Sequence, residues 1–291
     1  MNILIAGGTG HIGKKLQKSL LEKGHHLFIL SRNPSENNST PLFIQWDGVE
    51  VPQLPAEMDA VINLCGASIA SDTWTEERKK ILLNSRIQPT KALLHYIELQ
   101  TRKPAVFLNA SAVGIYGSRQ FELLTENSKE GEGYLAELSQ AWEEAAQNTL
   151  TRTVLLRTGI VLDNQSGALP EAIKTFPLGF GGYFGKGNQG FPWIHMDDEV
   201  GLIIHALENT EVEGFLNLVG PETVSYKTFI ELASAIKSKL VLPAPEFVLQ
   251  FVLGSRSDLL LSSQYVYPEK AVKTGYQFKY PTLKSALENL L

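Results

Sequence analysis

The chain has 291 residues, of which 43% are apolar, 9% aromatic and 20% charged, which is the make-up of a globular protein with a sizeable core. A formal net charge of −5, with Lys and Arg scattered, argues against nucleic acid or an anionic membrane surface as a partner. The single cysteine, Cys65, excludes an intrachain disulfide and a cysteine-based metal cluster.

The opening Met1-Asn2-Ile3-Leu4 lacks the basic region of a signal peptide, and no apolar run nears the ~20 residues of a membrane span. A cytoplasmic protein is therefore expected. Asn2–Ala6 reads as a buried strand, and His11–Lys23 as an amphipathic helix closed by Gly24. Strands follow at Leu27–Leu30, Pro41–Gln45 and Asp59–Leu64, then a long helix over Glu76–Leu99. Strands at Val106–Ala110 and Arg152–Arg157 flank a helix over Tyr134–Asn148. Alternation of this kind predicts βαβ units and a mostly parallel, doubly wound Rossmann-type α/β sheet covered on both faces.

After residue 160 the texture changes. Gly179–Gly190 is rich in glycine, with Phe180, Tyr183, Phe184 and Lys186 between. It reads either as a mobile lid over a small ligand or as a rigid irregular loop. A helix from about Asp198 to Leu207, a strand at Phe215–Val219, a helix over Ser225–Lys237 and a mostly helical tail punctuated by Pro245, Pro268 and Pro281 complete the reading. The expected division is a Rossmann domain over 1–240 and a small helical extension over 241–291.

The sharpest motif is Gly7-Gly8-Thr9-Gly10-His11-Ile12-Gly13, between the first strand and the first helix. Gly7 permits a tight turn, Gly10 lets backbone approach a pyrophosphate, and Gly13 allows close packing of helix on strand. The unpaired amides around Thr9, His11 and Ile12 would face the phosphates at the positive end of the helix. The second strand ends in Ser31-Arg32, where an NAD enzyme usually carries an acid for the ribose hydroxyl. A guanidinium and a hydroxyl there suit a 2′-phosphate, so NADP(H) is preferred over NAD(H), unless Arg32 is simply a solvated surface residue.

Several strings occur together in order. They are the glycine turn, Ser31-Arg32, Trp46-Asp47, Asn63-Leu64-Cys65-Gly66, Trp74-Thr75, Ser85-Arg86, Ser111-Ala112-Val113-Gly114-Ile115-Tyr116-Gly117, Trp142-Glu143, Arg157-Thr158-Gly159-Ile160-Val161-Leu162 and Phe191-Pro192-Trp193-Ile194-His195. This pattern resembles the "epimerase family protein" branch of atypical extended short-chain dehydrogenases/reductases, some members of which carry a SulA-like cell-division-inhibitor label. The resemblance covers essentially the whole chain, including a C-terminal extension from about Pro243. It implies an extended Rossmann fold holding NADP(H), with contacts from Ser31, Arg32, Leu64, Cys65, Arg86 and Val161. Leu64 and Cys65 end a parallel strand, where ligands of open α/β sheets sit, and Gly66 would allow close approach. Arg86 would reach a phosphate or form a surface ion pair, and Val161 would wall the nicotinamide.

Hydride-transferring relatives usually pair a Tyr acid with a Lys four residues later, which lowers the tyrosine's pKa. Here Tyr134 is followed four residues on by Leu138, and Tyr134–Asn148 holds no Lys or Arg. Tyr134 is thus a candidate acid or a helix-start packing residue. Ser111 and Tyr116 are further candidates, with hydrogen bonding and packing in a loop as the alternative. His195 reads as a general base or, more readily, as a structural residue at the entry to a helix capped by Asp197. No metal site is expected. The sequence points to an NADP(H)-dependent oxidoreductase or epimerase-like enzyme acting on a small carbonyl or alcohol. The rival is a non-catalytic NADP(H)-binding redox sensor, and the oligomeric state is open, with a homodimer allowed.

Overall fold

The structure, a computed structural model, describes residues 1–34, 40–174, 176–244 and 258–291. Its centre is a seven-stranded sheet of β1 (Asn2–Ala6), β2 (His26–Ser31), β3 (Leu42–Gln45), β4 (Ala60–Asn63), β5 (Val106–Ala112), β6 (Arg152–Thr158) and β7 (Gly214–Leu218). The order is β7-β6-β5-β4-β1-β2-β3, and every pairing is parallel. The chain winds outward from β1 to β3, then returns to β4 on the other side of β1. That reversal opens a crevice at the carboxyl ends of β1 and β4, where doubly wound sheets bind ligands.

The principal helices are α1 (His11–Glu22), α2 (Glu76–Leu99), α3 (Tyr134–Ala146), α4 (Met196–Glu208), α5 (Tyr226–Ile236) and α6 (Leu283–Leu290). Successive strand residues serve opposite faces, which is why the strands read as continuous apolar runs. Ile3 and Ile5 pack with Leu16 and Leu20 of α1 and Leu202 and Ile203 of α4. Leu4, Val61 and Phe107 pack on the other face with Leu93 and Ile97 of α2. A third core joins Trp193, Phe229 and Ile230 to Leu283, Ala286 and Leu287, so α6 closes the chain against α5.

Element ends shift by a residue or two from the sequence reading, and two differences bear on the site. β5 continues to Ala112, so Ser111 lies inside a strand and pairs with Arg157 of β6. Within the glycine-rich stretch, Phe180–Phe184 forms a parallel ladder with Leu240–Ala244. Gly181 fits there because a Cβ would meet the Ser234 hydroxyl at 2.3 Å. The segment is therefore in part a strand against α5, a pairing across 60 residues that no local pattern announces; the Phe184 side chain lies outside what is described. In the tail, Asp258–Leu261, Glu269–Lys273 and α6 are helical and Tyr265–Val266 pairs with Leu123–Leu124; Pro245 falls outside the described residues. Among the described residues no helix is long and apolar enough to cross a membrane.

Candidate functional site

The glycine turn sits at the crevice. Gly7 has φ +77°, and a Cβ on it would lie 2.5 Å from the Leu64 carbonyl carbon. The turns after β1 and β4 are thus pressed together at the switch point, which only a residue without a side chain allows. A Cβ on Gly13 would lie 2.5 Å from the Gly8 carbonyl oxygen, so the first turn of α1 rests directly on the end of β1. Gly10 is different: the nearest atom to its Cβ position is the Gly7 oxygen at 3.2 Å, and the residue is exposed.

Gly10 is the N-cap of α1 and supplies no side-chain cap, and the first turn carries no acid. A helix start with free amides and no anion of its own is a ready anion site. Gln17, buried, donates to the Gly8 oxygen at 2.8 Å and fixes the turn from below. Thr9 and His11 are exposed, while Ile12 packs partly against the core. His11 Nε2 lies 3.2 Å from an Asp163 carboxylate oxygen, tying the helix start to the segment after Val161.

Around this turn stand the other expected contacts. Ser31 is buried and its hydroxyl accepts from the Asn33 amide at 3.2 Å, shaping the bend after β2. Arg32 is exposed. The Leu64–Gly66 turn is held by buried Asn63, whose side-chain oxygen accepts from the Cys65 amide at 3.1 Å and whose amide nitrogen donates to Asn109 at 2.7 Å. Cys65 is half-buried, and burial pushes its thiol up to about 12, so it stays protonated and inert.

Arg86 is buried rather than paired on the surface. It donates to the carbonyls of Leu82 at 2.9 Å and Ala67 at 3.2 Å, and its guanidinium lies 4.9 Å from the Trp142 ring centre. Burial lowers it to about 10, which leaves it a cation at neutral pH. No carboxylate among the described residues pairs with it. Gly66 covers it, since a Cβ there would sit 3.3 Å from the guanidinium carbon. Val161 lies on a short strand, Ile160–Leu162, paired in register with Ile194.

The hydroxyl candidates are placed apart. Ser111 is buried and donates to Glu143 at 2.6 Å. Glu143 receives Nε and Nη2 of Arg157, each at 2.8 Å. Arg157 Nη1 reaches the Tyr116 hydroxyl at 3.0 Å, and that hydroxyl donates to Asn217 at 2.7 Å. Ser111 and Tyr116 therefore belong to one sealed polar chain crossing from α3 to β7. Tyr134 lies elsewhere, with its ring 5.1 Å from that of Trp74. Its hydroxyl has no hydrogen-bond partner among the described residues, and burial raises its pKa against the pull of Arg86 and Lys79.

His195 is itself the N-cap of α4: its Nδ1 accepts from the Asp197 amide at 3.0 Å. Its Nε2 lies 3.1 Å from the Asn289 side-chain oxygen. Asp197, expected to cap, instead bridges Lys15 and Lys279, because the helix begins one residue before it.

Sequence reasoning missed two features. One is Glu199, 1% exposed, which accepts from Thr158 at 2.9 Å. The other is a cavity of about 240 Å³ beyond the ends of β5 and β6, bordered by Ala112, Trp142, Thr158, Phe191 and Tyr226, with Arg86 at its margin. Its described walls come from eight separate stretches of chain, so nothing local signals it.

Comparison with known proteins fits this geometry. The NAD dependent epimerase/dehydratase family matches residues 3–218, and a domain of unknown function, DUF1731, matches residues 244–290. Epimerase family protein YfhF of Bacillus subtilis is 37% identical, covering 100% of this chain and 98% of that protein. A crystal structure of human epimerase family protein SDR39U1 with NADPH superposes with a TM-score of 0.92 at 35% identity, covering 100% of this chain and 99% of that one. A nucleoside-diphosphate sugar epimerase from Corynebacterium glutamicum superposes with a TM-score of 0.80 at 27% identity, covering 100% of this chain and 58% of the other. With its glycine turn at the switch point and its matched C-terminal extension, this chain belongs to the NAD dependent epimerase/dehydratase family.

Proposed function

We propose that this protein binds NADP(H) and uses it in oxidoreductase chemistry on a small carbonyl or alcohol. The observation that carries the reading is the uncapped start of α1, pressed by Gly7 against Leu64 at the switch point, with Arg32 just beyond the tip of β2. The amides at His11 and Ile12 and the open space over Gly10 fit a pyrophosphate, and Arg86 adds a buried cation near Gly66. Arg32 suits a 2′-phosphate, and NADPH in the human relative supports that choice. Val161 and the ends of β5 and β6 would flank the nicotinamide, which when bound supplies or accepts a hydride.

The chain's own residues then hold the cofactor, exclude water from the cavity and present hydrogen-bond donors at its wall. Calorimetry tests the reading: NADPH should bind and NADH should bind more weakly. Equal affinity for the two would remove the 2′-phosphate assignment, and no heat with either would remove the reading.

A specific observation favours a second reading, an NADP(H)-binding sensor without turnover. The hydroxyls of Ser111 and Tyr116 are spent on Glu143, Arg157 and Asn217, and α3 holds no Lys or Arg. NADPH binding without oxidation across a panel of aldehydes and ketones, followed by nicotinamide absorbance, supports it; turnover that disappears in a Gly10→Val variant refutes it.

A further inference from the structure

The family's name suggests nucleotide sugars, but the cavity beside the proposed nicotinamide position has the wrong chemistry for a diphosphate. Its volume is about 240 Å³, below the roughly 300–1,000 Å³ typical of sites for drug-sized ligands. Of the described side chains that border it, Arg86 alone carries a charge, and that guanidinium faces Gly66 on the cofactor side. A second diphosphate would enter this space with no other cation among the described residues to meet it, a heavy desolvation cost.

The polar groups on the wall are mostly spent. Thr158 donates to Glu199 at 2.9 Å, and Ser139 to the Leu135 carbonyl at 2.8 Å. Gln264 donates to the carbonyls of Val113 at 3.0 Å and Gly117 at 2.9 Å. These two bonds bring the C-terminal extension across the loop after β5 and fix Gln264 in the cavity wall. The Gly190 amide donates to Ser263 at 3.0 Å, locking the same wall to the opposite rim.

Two hydroxyls on the wall make no hydrogen bond to a described residue, those of half-buried Ser262 and of Tyr226, and Tyr226 is the one set on a fixed ring. It is 4% exposed, its side chain lines the cavity, and its hydroxyl makes no hydrogen bond to any described residue. The ring is fixed, edge-on to Phe191 with centres 5.7 Å apart and beside Phe229 at 5.8 Å. Burial pushes the phenol up to about 12, so it remains a donor throughout the neutral range. The hydroxyl oxygen is not among the side-chain atoms sealed in without a partner, so it keeps some exposure and can donate to a ligand in the cavity.

We infer that the substrate is a compact, uncharged, apolar-bodied carbonyl or alcohol, rather than a nucleoside-diphosphate sugar, and that Tyr226 donates the hydrogen bond that grips its oxygen. This rests on the NADP(H) reading above. Trp142, Phe191 and Ile160 supply the surface for the apolar body, and the volume of about 240 Å³ limits its size.

The experiment uses the full chain saturated with NADP+, with cofactor binding first measured alone by calorimetry. The probes are 4-fluoroacetophenone, followed by fluorine NMR, and UDP-glucose, followed by saturation-transfer NMR. The ketone should bind, UDP-glucose should not, and Tyr226→Phe should weaken the ketone about five-fold, the loss of one hydrogen bond. A second variant, Ile160→Trp, should fill the cavity and abolish ketone binding while the cofactor still binds. Binding of UDP-glucose, ketone binding unchanged in Tyr226→Phe, or cofactor binding with neither probe bound would each overturn the inference. Failure of NADP+ itself to bind would instead strike the functional reading on which it rests.

Discussion

Glu143 and Arg157 form a two-point ion pair, Nε to Oε1 and Nη2 to Oε2 both at 2.8 Å, with 4% and 2% of the two residues exposed. The pair links α3 to β6, one strand in from the sheet edge, and Arg157 also lies 3.8 Å from the Phe215 ring centre. Its satisfaction is complete enough that neither charge is left bare, whereas removing one partner strands the other. Glu143→Gln should therefore cost roughly 3–5 kcal/mol, the usual result of breaking a buried pair. Urea unfolding measures it. Arg157→Met combined with Glu143→Leu should recover much of that loss; a double variant as unstable as the single one would contradict this account.

Gly10 and Gly13 separate binding from folding. A methyl on Gly13 would collide with the Gly8 carbonyl oxygen at 2.5 Å, a backbone atom with nowhere to move. Gly13→Ala should lower the melting temperature by several degrees or prevent folding. Gly10 has an ordinary φ of −70° and one neighbour at 3.2 Å, so Gly10→Ala should fold normally. Its methyl would stand where the phosphates approach, and NADPH affinity should fall about ten-fold or more. Thermal unfolding and calorimetry on the two variants give both readings.

Arg32 makes a sharper test of cofactor choice. Arg32→Ala should weaken NADPH by about ten- to hundred-fold, the range for a charge-assisted hydrogen bond, and leave NADH nearly unchanged. Affinity for NADPH should also lose much of its salt dependence. Equal losses for both cofactors would place Arg32 on a shared part of the dinucleotide rather than the 2′-phosphate.

The parts of this molecule that were legible in its sequence are those set by neighbours along the chain. β1, the glycine turn and α1 follow from a run of apolar residues, a glycine pattern and a helical period within 22 residues. The same holds for β2 and Arg32. What escaped depends on distant partners. Ser111 meets Glu143 and Tyr116 meets Asn217 across gaps of 32 and 101 residues, so a serine or tyrosine near a strand end reads equally well as catalytic or structural. Trp142-Glu143 and Arg157 stand out as strings in the sequence, but their partnership has no local period. Tyr226 escaped for another reason: at the first position of α5 it looks like any packing aromatic until the cavity beside it is known.

Glu199 gives a pH signature. It has Thr158 as its hydrogen-bond partner, its second oxygen has none, and burial pushes its carboxyl up from 4.5 to about 8. Between those values the folded protein keeps a proton that the unfolded chain releases. Stability contributed at this site therefore falls as pH rises through that window and levels off above it. Buried His195, whose pKa is lowered chiefly by burial, pushes the other way, since the unfolded chain takes up its proton as pH falls. The comparison that isolates the glutamate is wild type against Glu199→Gln, which keeps a neutral side chain and the Thr158 contact. The variant should gain stability relative to wild type as pH rises from about 5 to about 8. A constant difference across that range would show Glu199 to be ionised in the folded state.

Asp198 is the anchor of the C-terminal extension. One oxygen accepts from the Tyr276 hydroxyl at 3.0 Å and the Lys279 amide at 2.8 Å, and the other from the Tyr280 amide at 2.9 Å. Three donors on one buried carboxylate hold the segment before α6 against α4. Tyr280 also lies on His195, ring centres 3.8 Å apart. Asp198→Ala would leave two backbone amides without acceptors and the Tyr276 phenol with only the residue 198 carbonyl at 3.4 Å, at a cost of about 3 kcal/mol. The loss should be local before it is global, because the seven-stranded core has its own packing. Hydrogen exchange should accelerate over residues 276–291 while β1, β4 and β5 stay protected. Exchange that rises equally in the sheet would show that the extension is an integral part of the folding unit rather than a segment that opens on its own.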